Sequence, residues 1–371
     1  MKNKKYVKNL RWIILGTFLL FITFKAYLHG AKGGGEAASI HALCPYGGLE
    51  SLYTFMAEGT FIKKIFSGTF ILLALTLIVS ILFRRSFCGL ICPFGALQEF
   101  LGLLGKKIFK VRFTMAESID KPLRYLKYII LFLTLIFAWS TVGLWVSPYD
   151  PWSTYAHISE GIGTILAESP IGLILLIFTV IGSILYDRFF CKYLCPMGAF
   201  YGILSRFSLT KIVRNEDKCI NCKICDKNCP VNLQVSNCSV VKSAECINCQ
   251  SCILSCPKEG ALEVKTFNKS LKPLAVILSV LIIFFGGIYG FQKSGLYKTV
   301  PDAIPVGTVI NIDDIKGYMT IEEVAQYINT NLKEIYKKLS IPDSVPKTTK
   351  MKEISNFIPG FEVDKAKELL K

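Results

Sequence analysis

The chain has 371 residues, of which 52% are hydrophobic, and its formal net charge at pH 7 is +16. This hydrophobic content, with a mean hydropathy of +0.44, indicates an integral membrane protein. A secreted disulfide framework is excluded because the chain is long and apolar despite its 14 cysteines. Binding of nucleic acid is excluded as well, because the basic residues flank apolar runs and do not form a separate basic region.

Five apolar runs are long enough to cross roughly 30 Å of hydrocarbon. The sequence therefore predicts a mainly α fold, a polytopic helical membrane protein with an inserted cysteine-rich module and a small helical C-terminal domain. The predicted spans lie at about residues 12–28, 65–83, 126–146, 163–186 and 272–291.

Basic residues set the predicted orientation. Lysines and one arginine precede the first span, and nine Lys or Arg residues lie between the second span and the start of the third. By the positive-inside rule, the N-terminus is cytoplasmic. The first span also fits a signal peptide, with small residues at 37–39. We favour a retained span, because the apolar run reaches Tyr27 and the small residues lie well beyond it.

An internal repeat covers both central hairpins. R-S-F-C-G-L-I-C-P-F-G-A-L at Arg85–Leu97 matches R-F-F-C-K-Y-L-C-P-M-G-A-F at Arg188–Phe200, an offset of 103 residues. The same offset carries Cys44-Pro-Tyr onto Ser147-Pro-Tyr. Both C-x3-C-P turns fall at the cytoplasmic ends of spans, so we expect a pseudo-two-fold axis along the membrane normal.

Four cysteines of the repeat form a candidate site near the inner face. Because the members of each pair are four residues apart, we expect each pair to share one helix face. The alternatives are a further iron centre, two reducible dithiols, or small buried residues that only allow tight helix packing. These cysteines are Cys88, Cys92, Cys191 and Cys195.

A second candidate site lies at the predicted outer face. The histidines fall there, with carboxylates nearby, and a quinol site needs groups that accept its protons. A loop histidine is also often only solvated, and nothing in the spacing selects a haem. The candidate residues for a quinone or proton site are Cys44, His41, Glu50 and His157.

The residues from Cys219 to Pro257 carry the most specific motif. C-x2-C-x2-C-x3-C-P occurs twice there, and such a run holds a [4Fe–4S] cluster, with the fourth cysteine crossing to the other cluster. Paired zinc sites are the alternative, but they use two separate two-cysteine knuckles. The motif predicts cluster one on Cys219, Cys222, Cys225 and Cys256, and cluster two on Cys246, Cys249, Cys252 and Cys229.

The last eighty residues or so predict a small helical domain. Thr320 and Glu323 form a capping box, and apolar residues follow with helical period on both sides of Asn329-Thr-Asn331. Two short helices around such a break also fit a helix-turn-helix, but an odd number of spans places this tail outside the cell. The predicted domains are membrane 1–211, ferredoxin module 212–268, fifth span 269–292 and extracytoplasmic tail 293–371.

The paired C-x3-C-P turns, followed by eight ferredoxin cysteines, resemble the ferredoxin-type membrane subunits of periplasmic nitrate reductase systems. They are similar as well to the membrane half of the nitrous oxide reductase maturation and regulatory protein, and to the accessory protein of cbb3-type oxidase assembly. The resemblance covers about residues 40–265. It implies two cytoplasmic [4Fe–4S] clusters and electron passage between that side and a quinone or an outer acceptor.

We therefore expect a multi-pass protein of the bacterial cytoplasmic membrane that transfers electrons, not a hydrolytic enzyme. Its expected partners are the lipid bilayer, a soluble ferredoxin-like or flavin donor, and a quinone or extracytoplasmic redox partner, with no nucleic acid. Two alternatives stay open: a maturation factor that supplies reductant to a partner metalloenzyme, and a redox-sensing membrane regulator.

Overall fold

The protein is described here by a computed structural model. It describes residues 2–32, 37–58, 67–141, 147–267, 269–299, 311–312, 315, 317, 319–358, 360–361 and 363–370. The chain forms two compact units. The first comprises Met1–Ala31 and Ser39–Thr299, and the second comprises Lys32–Ala38 and Val300–Lys371.

The first unit is mostly helical up to residue 204. Several of its helices begin at a proline, whose fixed φ suits the first helical position and whose missing N–H would have no partner there. The helices are α1 Lys2–Lys32, α2 Pro45–Glu58, α3 Ser67–Phe83, α4 Ser86–Leu90, α5 Pro93–Phe109, α6 Glu117–Leu123, α7 Leu126–Thr141, α8 Pro151–His157, α9 Ile162–Glu168, α10 Pro170–Leu185, α11 Phe189–Tyr193 and α12 Pro196–Leu204.

The two copies of the repeat pack reciprocally. Helix α5 of the first copy lies on α10 of the second, and α12 of the second lies on α3 of the first. The contact between α5 and α10 needs a glycine, because a Cβ at Gly105 would overlap the backbone of Ile184. In the contact between α12 and α3, the Tyr201 hydroxyl donates to Thr76 Oγ1 at 2.5 Å. This reciprocal packing is what the parallel repeat predicts.

A three-stranded antiparallel sheet follows, in the order β1 (Thr210–Arg214), β2 (Leu262–Thr266) and β3 (Lys269–Leu271). The cysteine loops lie between β1 and β2 in the chain and include the short helices α13 (Ile224–Lys227) and α14 (Ser251–Ser255). Ile212 pairs with Val264 in register, and both side chains are buried beneath these loops. The sheet thus closes the base of the cysteine-rich region.

The first unit ends in a long apolar helix made of α15 (Pro273–Leu281), a π-helical turn (Ile282–Gly286) and α16 (Gly287–Lys293). By length and composition, two helices could each cross a bilayer, Lys4–Lys32 and Pro273–Lys293. Ser67–Phe83 and Pro170–Leu185 are apolar but shorter. Parts of the second and third predicted spans, residues 65–66 and 142–146, lie outside the described residues. The five-span topology remains a prediction.

The second unit has its own core. Its helices are α17 (Ile321–Tyr327), α18 (Leu332–Lys338) and α19 (Val363–Leu370). The predicted capping box is confirmed: Thr320 Oγ1 accepts the Glu323 N–H, and the Glu323 carboxylate accepts the Thr320 N–H. The buried side chains of this core include Ile321, Val324, Ile335, Leu339, Met351, Ile354, Ala366 and Leu370. Proline residues 301 and 305 lie outside the described residues.

Candidate functional site

Two cavities lie in the cysteine-rich region, and each is lined by four cysteines. The first is bordered by three cysteines of the first run together with the last cysteine of the second run, and the second by the complementary set. This is the crossed division that the motif predicts. The first cavity has Cys219, Cys222, Cys225 and Cys256, and the second has Cys246, Cys249, Cys252 and Cys229.

The backbone turns around both cavities in the same way. The residues on either side of the middle cysteine have positive φ in each run: Asn221 (50°) and Lys223 (57°) in the first, Asn248 (48°) and Gln250 (64°) in the second. Left-handed residues curve successive N–H groups toward a concave space, where they stabilise a negatively charged group. In the second cavity the Leu233 N–H donates to Cys229 Sγ at 3.3 Å.

The donor set fits a [4Fe–4S] cluster better than a single ion. Among the described residues, no three Cys, His, Asp or Glu side chains converge on a point where one metal ion would be held. Four thiols instead surround a space, and all 14 cysteines are free of disulfides. In a cubane each iron takes one thiolate, so the four sulfurs need to be spread around the cube.

The two cavities differ in access to solvent. Cys222 is exposed and Cys219 and Cys256 are partly exposed, whereas the four cysteines of the second cavity are buried. A hydrogen bond from Arg214 lowers the pKa of Cys219. Burial raises the pKa of Cys229 to about 12. The first cavity is therefore the one that a soluble molecule can approach.

The loops of the second cavity are anchored to the first hairpin by buried polar contacts. Arg84 donates to the carbonyl oxygens of Val241 and Ser243, each at 2.5 Å. Asn248 donates in return to the carbonyl oxygen of Phe83 at 2.9 Å. The cysteine-rich region is thus part of the same packed body as the apolar helices.

Gly89 is a point of close approach at this junction. A Cβ there would overlap the Ile247 carbonyl oxygen and would lie 3.3 Å from Cys249 Cβ. Because Gly89 follows Cys88, the enclosed cavity adjoins one of the two C-x3-C-P turns. The Arg11 guanidinium also donates to the Gly89 carbonyl oxygen, at 3.0 and 3.2 Å.

The C-x3-C-P cysteines are not arranged on shared helix faces, and that prediction is wrong. Helix α4 ends at Leu90, and Cys92 precedes α5 as its N-terminal cap. The proline at 93 begins a new helix, which separates Cys88 from Cys92. The second copy is built in the same way, with one cysteine in α11 and the other before α12.

The four thiols nevertheless lie close enough to influence one another's charge, in a group that we call the thiol quartet (Cys88, Cys92, Cys191 and Cys195). Gln98 Nε2 donates to Cys191 Sγ at 3.1 Å. The Gly198 N–H donates to Cys195 Sγ at 3.2 Å. Burial raises the pKa of the Cys92, Cys191 and Cys195 thiols.

Two buried arginines flank the thiol quartet, and each crosses to the other copy. Arg188 Nη1 donates to the Cys88 carbonyl oxygen at 2.6 Å and lies against Gly95. Its Nε bonds Glu99 at 2.7 Å, and Glu99 also pairs with Arg11 at 2.7 Å. Among the described residues, Arg188 Nη2 has no hydrogen-bond partner. This ion network is almost fully buried.

The corresponding Arg85 lies against Gly198 and pairs with Glu245 at 3.2 Å. Lys127 also pairs with Glu245, at 2.5 Å. From the sequence, Arg85 and Lys127 were interpreted only as part of an orientation signal. The position of Arg85 and Arg188 at the start of the two repeat copies, 103 residues apart, was the signal that marked them as a matched pair.

The outer candidate residues are brought together only in part. His41 Nε2 lies 3.0 Å from Ser147 Oγ, which joins the two C/S-P-Y loops. Cys44 and Glu50 are close enough to influence one another's charge, and Asp150 influences both. His157 instead contacts the His29 ring and the Ser153 carbonyl oxygen.

The comparison with known families matches the repeat. One family model, described as a 4Fe–4S binding domain, matches twice, over residues 67–112 and 169–215. These matches cover the two hairpins with the thiol quartet and do not reach the eight ferredoxin cysteines. No solved structure matches the chain significantly.

Three relatives give the extent of the similarity. An uncharacterized protein of Methanocaldococcus jannaschii is 33% identical over 219 residues, which is 57% of this chain and 79% of that protein. YccM of Escherichia coli is 29% identical over 224 residues, 58% of this chain and 59% of the relative. The ferredoxin-type protein NapH of Haemophilus influenzae is 27% identical over 157 residues, 42% of this chain and 51% of the relative.

Proposed function

Since the chain belongs to the family of ferredoxin-type membrane electron-transport proteins, we propose that it moves single electrons between a soluble partner and a membrane redox partner. Two [4Fe–4S] clusters, held by the two sets of four cysteines, supply the one-electron chemistry. The observation that carries this proposal is the division of eight cysteines between two cavities in the crossed pattern.

The difference in exposure sets the order of the two sites. Cys222 and its neighbours at the open cavity form the surface that a soluble ferredoxin-like or flavin protein would contact. The enclosed cavity adjoins Gly89 and the first C-x3-C-P turn. Electrons therefore enter or leave the protein at the open site. They pass to or from the membrane redox partner by way of the enclosed site, which adjoins the apolar helices.

The thiol quartet is the next group along this line, and we propose that it works as a dithiol relay. Its four thiols lie close enough to influence one another's charge, as two reducible dithiols require, and Cys88 and Cys191 are buried. One observation favours iron ligation instead: the family model that covers the quartet is described as a 4Fe–4S binding domain. The iron content of quartet variants distinguishes the two.

We further propose a multi-pass arrangement in the cytoplasmic membrane, with the N-terminus and both clusters on the cytoplasmic side. Lys4 Nζ donates to the Cys256 carbonyl oxygen at 2.8 Å, so the start of α1 lies on the same side as the cysteine-rich region. The basic residues before the first span favour the cytoplasm for that side.

A redox titration followed by EPR tests the electron-transfer function. We expect two one-electron signals from the purified full chain, and their magnetic interaction because the cavities share one small module. Reduction by a quinol analogue in membranes is expected to require the thiol quartet. A protein whose clusters are reduced equally well after all four quartet cysteines are changed to serine would contradict the relay.

A further inference from the structure

Three buried cations lie along the loop that leads into the enclosed cavity, and we call Arg84, Arg85 and Lys127 the buried cation group. Arg84 Nη1 donates to the carbonyl oxygen of Val241, which lines that cavity. Arg85 Nη1 lies 3.2 Å from a carboxylate oxygen of Glu245, which is also buried. Lys127 Nζ lies 2.5 Å from both oxygens of the same carboxylate. Positive charge is therefore fixed beside the residue that precedes the first cysteine of the second run.

The buried cation group carries more charge than its contacts neutralise. Among the described residues, Glu245 is the only carboxylate that pairs with it. Nε of Arg84 and Nε of Arg85 have no hydrogen-bond partner in the same part of the chain. Because an uncompensated buried charge is costly, this excess indicates that a negatively charged group belongs nearby. The enclosed cavity, with its four cysteines, is the adjacent place for such a group.

The internal repeat shows that the turn itself does not require this charge. At the offset of 103 residues, Arg84 corresponds to Asp187 of the second copy. Asp187 pairs with Lys106 at 2.7 Å and with Arg112 at 2.9 Å. The same position therefore holds a carboxylate in the second copy and a cation in the copy that anchors the loops of the enclosed cavity.

A cluster in the enclosed cavity would need such cations. A [4Fe–4S] cluster gains one negative charge when it is reduced, and burial disfavours the more highly charged form. Fixed cations offset this cost, because salt and solvent screen a buried charge only weakly. At the open cavity solvent contributes instead, since Cys222 is exposed and Arg214 pairs with the exposed Glu216.

We propose that the buried cation group raises the midpoint potential of the enclosed cluster, so that electrons can pass between the two clusters. Arg84, Arg85 and Lys127 are positioning residues, because they contact the loop that leads to Cys246 and none of them borders the cavity. Glu245 acts in the opposite direction and limits the effect. This inference rests on the proposed function, which places a cluster in the enclosed cavity.

A redox titration of the full chain, purified without oxygen and followed by EPR, measures the effect. The signal of the enclosed cluster is the one that Cys249→Ser removes. Arg85→Gln and Lys127→Gln each remove one cation. At a fixed potential, we expect the ratio of reduced to oxidised enclosed cluster to fall about tenfold in each, which is about 59 mV for one electron. Arg85→Lys keeps the charge and should stay close to the wild type.

Glu245→Gln gives the decisive comparison. It breaks the same ion pairs as Arg85→Gln and Lys127→Gln, but it removes a negative charge, so the midpoint potential should rise. A purely structural disturbance of the loop would shift the potential in the same direction in all three variants. The matched controls are Glu117→Gln and Lys121→Gln, which break an exposed ion pair and should leave both potentials unchanged.

If Arg85→Gln does not assemble the enclosed cluster, the opposite shifts of Lys127→Gln and Glu245→Gln decide. Wild-type potentials in those two variants, or shifts of the same sign, would overturn the role of the buried cation group while leaving both clusters in place. Absence of the enclosed cluster's signal from the wild type would instead overturn the proposed function.

Discussion

Nine cysteines lie between Cys219 and Cys256, and only Cys238 borders neither cavity. Its Sγ contacts the carbonyl oxygens of Gln234 and Val235 in the connecting loop. The cysteine-rich region therefore contains its own control, a thiol of the same loop that is not assigned to a cluster.

Cys249→Ser should lose one cluster and keep the other. Serine is a poor substitute for a thiolate ligand, so iron should fall from about eight to about four atoms per chain. Anaerobic iron analysis measures this. Cys238→Ser should leave the iron content unchanged, and an equal loss in both variants would reject the assignment.

Arg214 offers a test of electrostatics at the open cavity. Its guanidinium stabilises the negative charge on Cys219, so Arg214→Gln should disfavour the reduced cluster and lower its midpoint potential. We expect this shift to be small, because solvent screens the exposed pair. The signal of the enclosed cluster should not move, and neither should either signal in Arg206→Gln.

At the level of single residues, the division of eight cysteines between two cavities follows from their spacing, because a cube imposes fixed intervals on the chain. The structural roles of Arg85 and Arg188 could not be predicted from the sequence. A buried arginine and a juxtamembrane arginine have the same sequence context, and only the packing of the second copy against the first distinguishes them.

Among the elements, the turn that contains Gly89 joins the apolar helices to the enclosed cavity. Gly89→Ala would place a Cβ against the Ile247 carbonyl oxygen, and the loop of Cys249 would have to move. We expect loss of the enclosed cluster's EPR signal with retention of the open one. Gly163→Ala is the matched control, because nothing lies within 4 Å of its Cβ position. Equal spectra for the two variants would contradict the junction.

Glu99 of α5 tests the ion network between the copies. Burial alone would raise its pKa, but Arg11 and Arg188 lower the pKa to about 2. The stability contributed by its ionised form is therefore complete above about pH 4.5 and is lost as the pH falls toward 2.

Glu99→Gln leaves two buried arginines without a counter-charge and should cost about 3–5 kcal/mol of unfolding free energy. Thermal unfolding in detergent at pH 7 should show a clearly lower Tm than the wild type. Glu117→Gln should change stability by less than about 0.5 kcal/mol. A wild-type Tm for Glu99→Gln would show that the network does not hold the copies together.

The helices themselves were largely predictable, and the turn between them was not. Apolar runs gave α3, α7 and the helix Pro273–Lys293 to within a few residues, apart from the part of the third run that is not described. Helix α1 begins ten residues before its predicted run, and the fourth run is divided between α9 and α10. The interval of four residues suggested that Cys88 and Cys92 share a helix. A proline at the next position starts a helix as readily as it ends one, and only the structure resolves this.

For the whole molecule, the central prediction concerns topology. An odd number of spans puts the cysteine-rich region and the tail on opposite sides of the membrane. Lys258→Cys, beside the open cavity, should be labelled by an impermeant maleimide only from the cytoplasmic side, and Lys333→Cys in α18 only from the outside. Labelling of both from one side would require an even number of spans.

At this scale the repeat allowed the architecture to be predicted from the sequence, because two parallel copies related by an offset of 103 residues imply reciprocal packing. The side-chain contacts between the copies could not be predicted: the Tyr201 hydroxyl of the second copy donates to Thr76 Oγ1 of the first at 2.5 Å.

Iron and acid-labile sulfide, counted in the full chain after anaerobic purification, test the central claim most directly. Two cubes held by eight thiolates predict about eight iron atoms and about eight sulfides per chain, still present after the quartet cysteines are changed to serine. A protein that carries zinc and no labile sulfide would contradict the account.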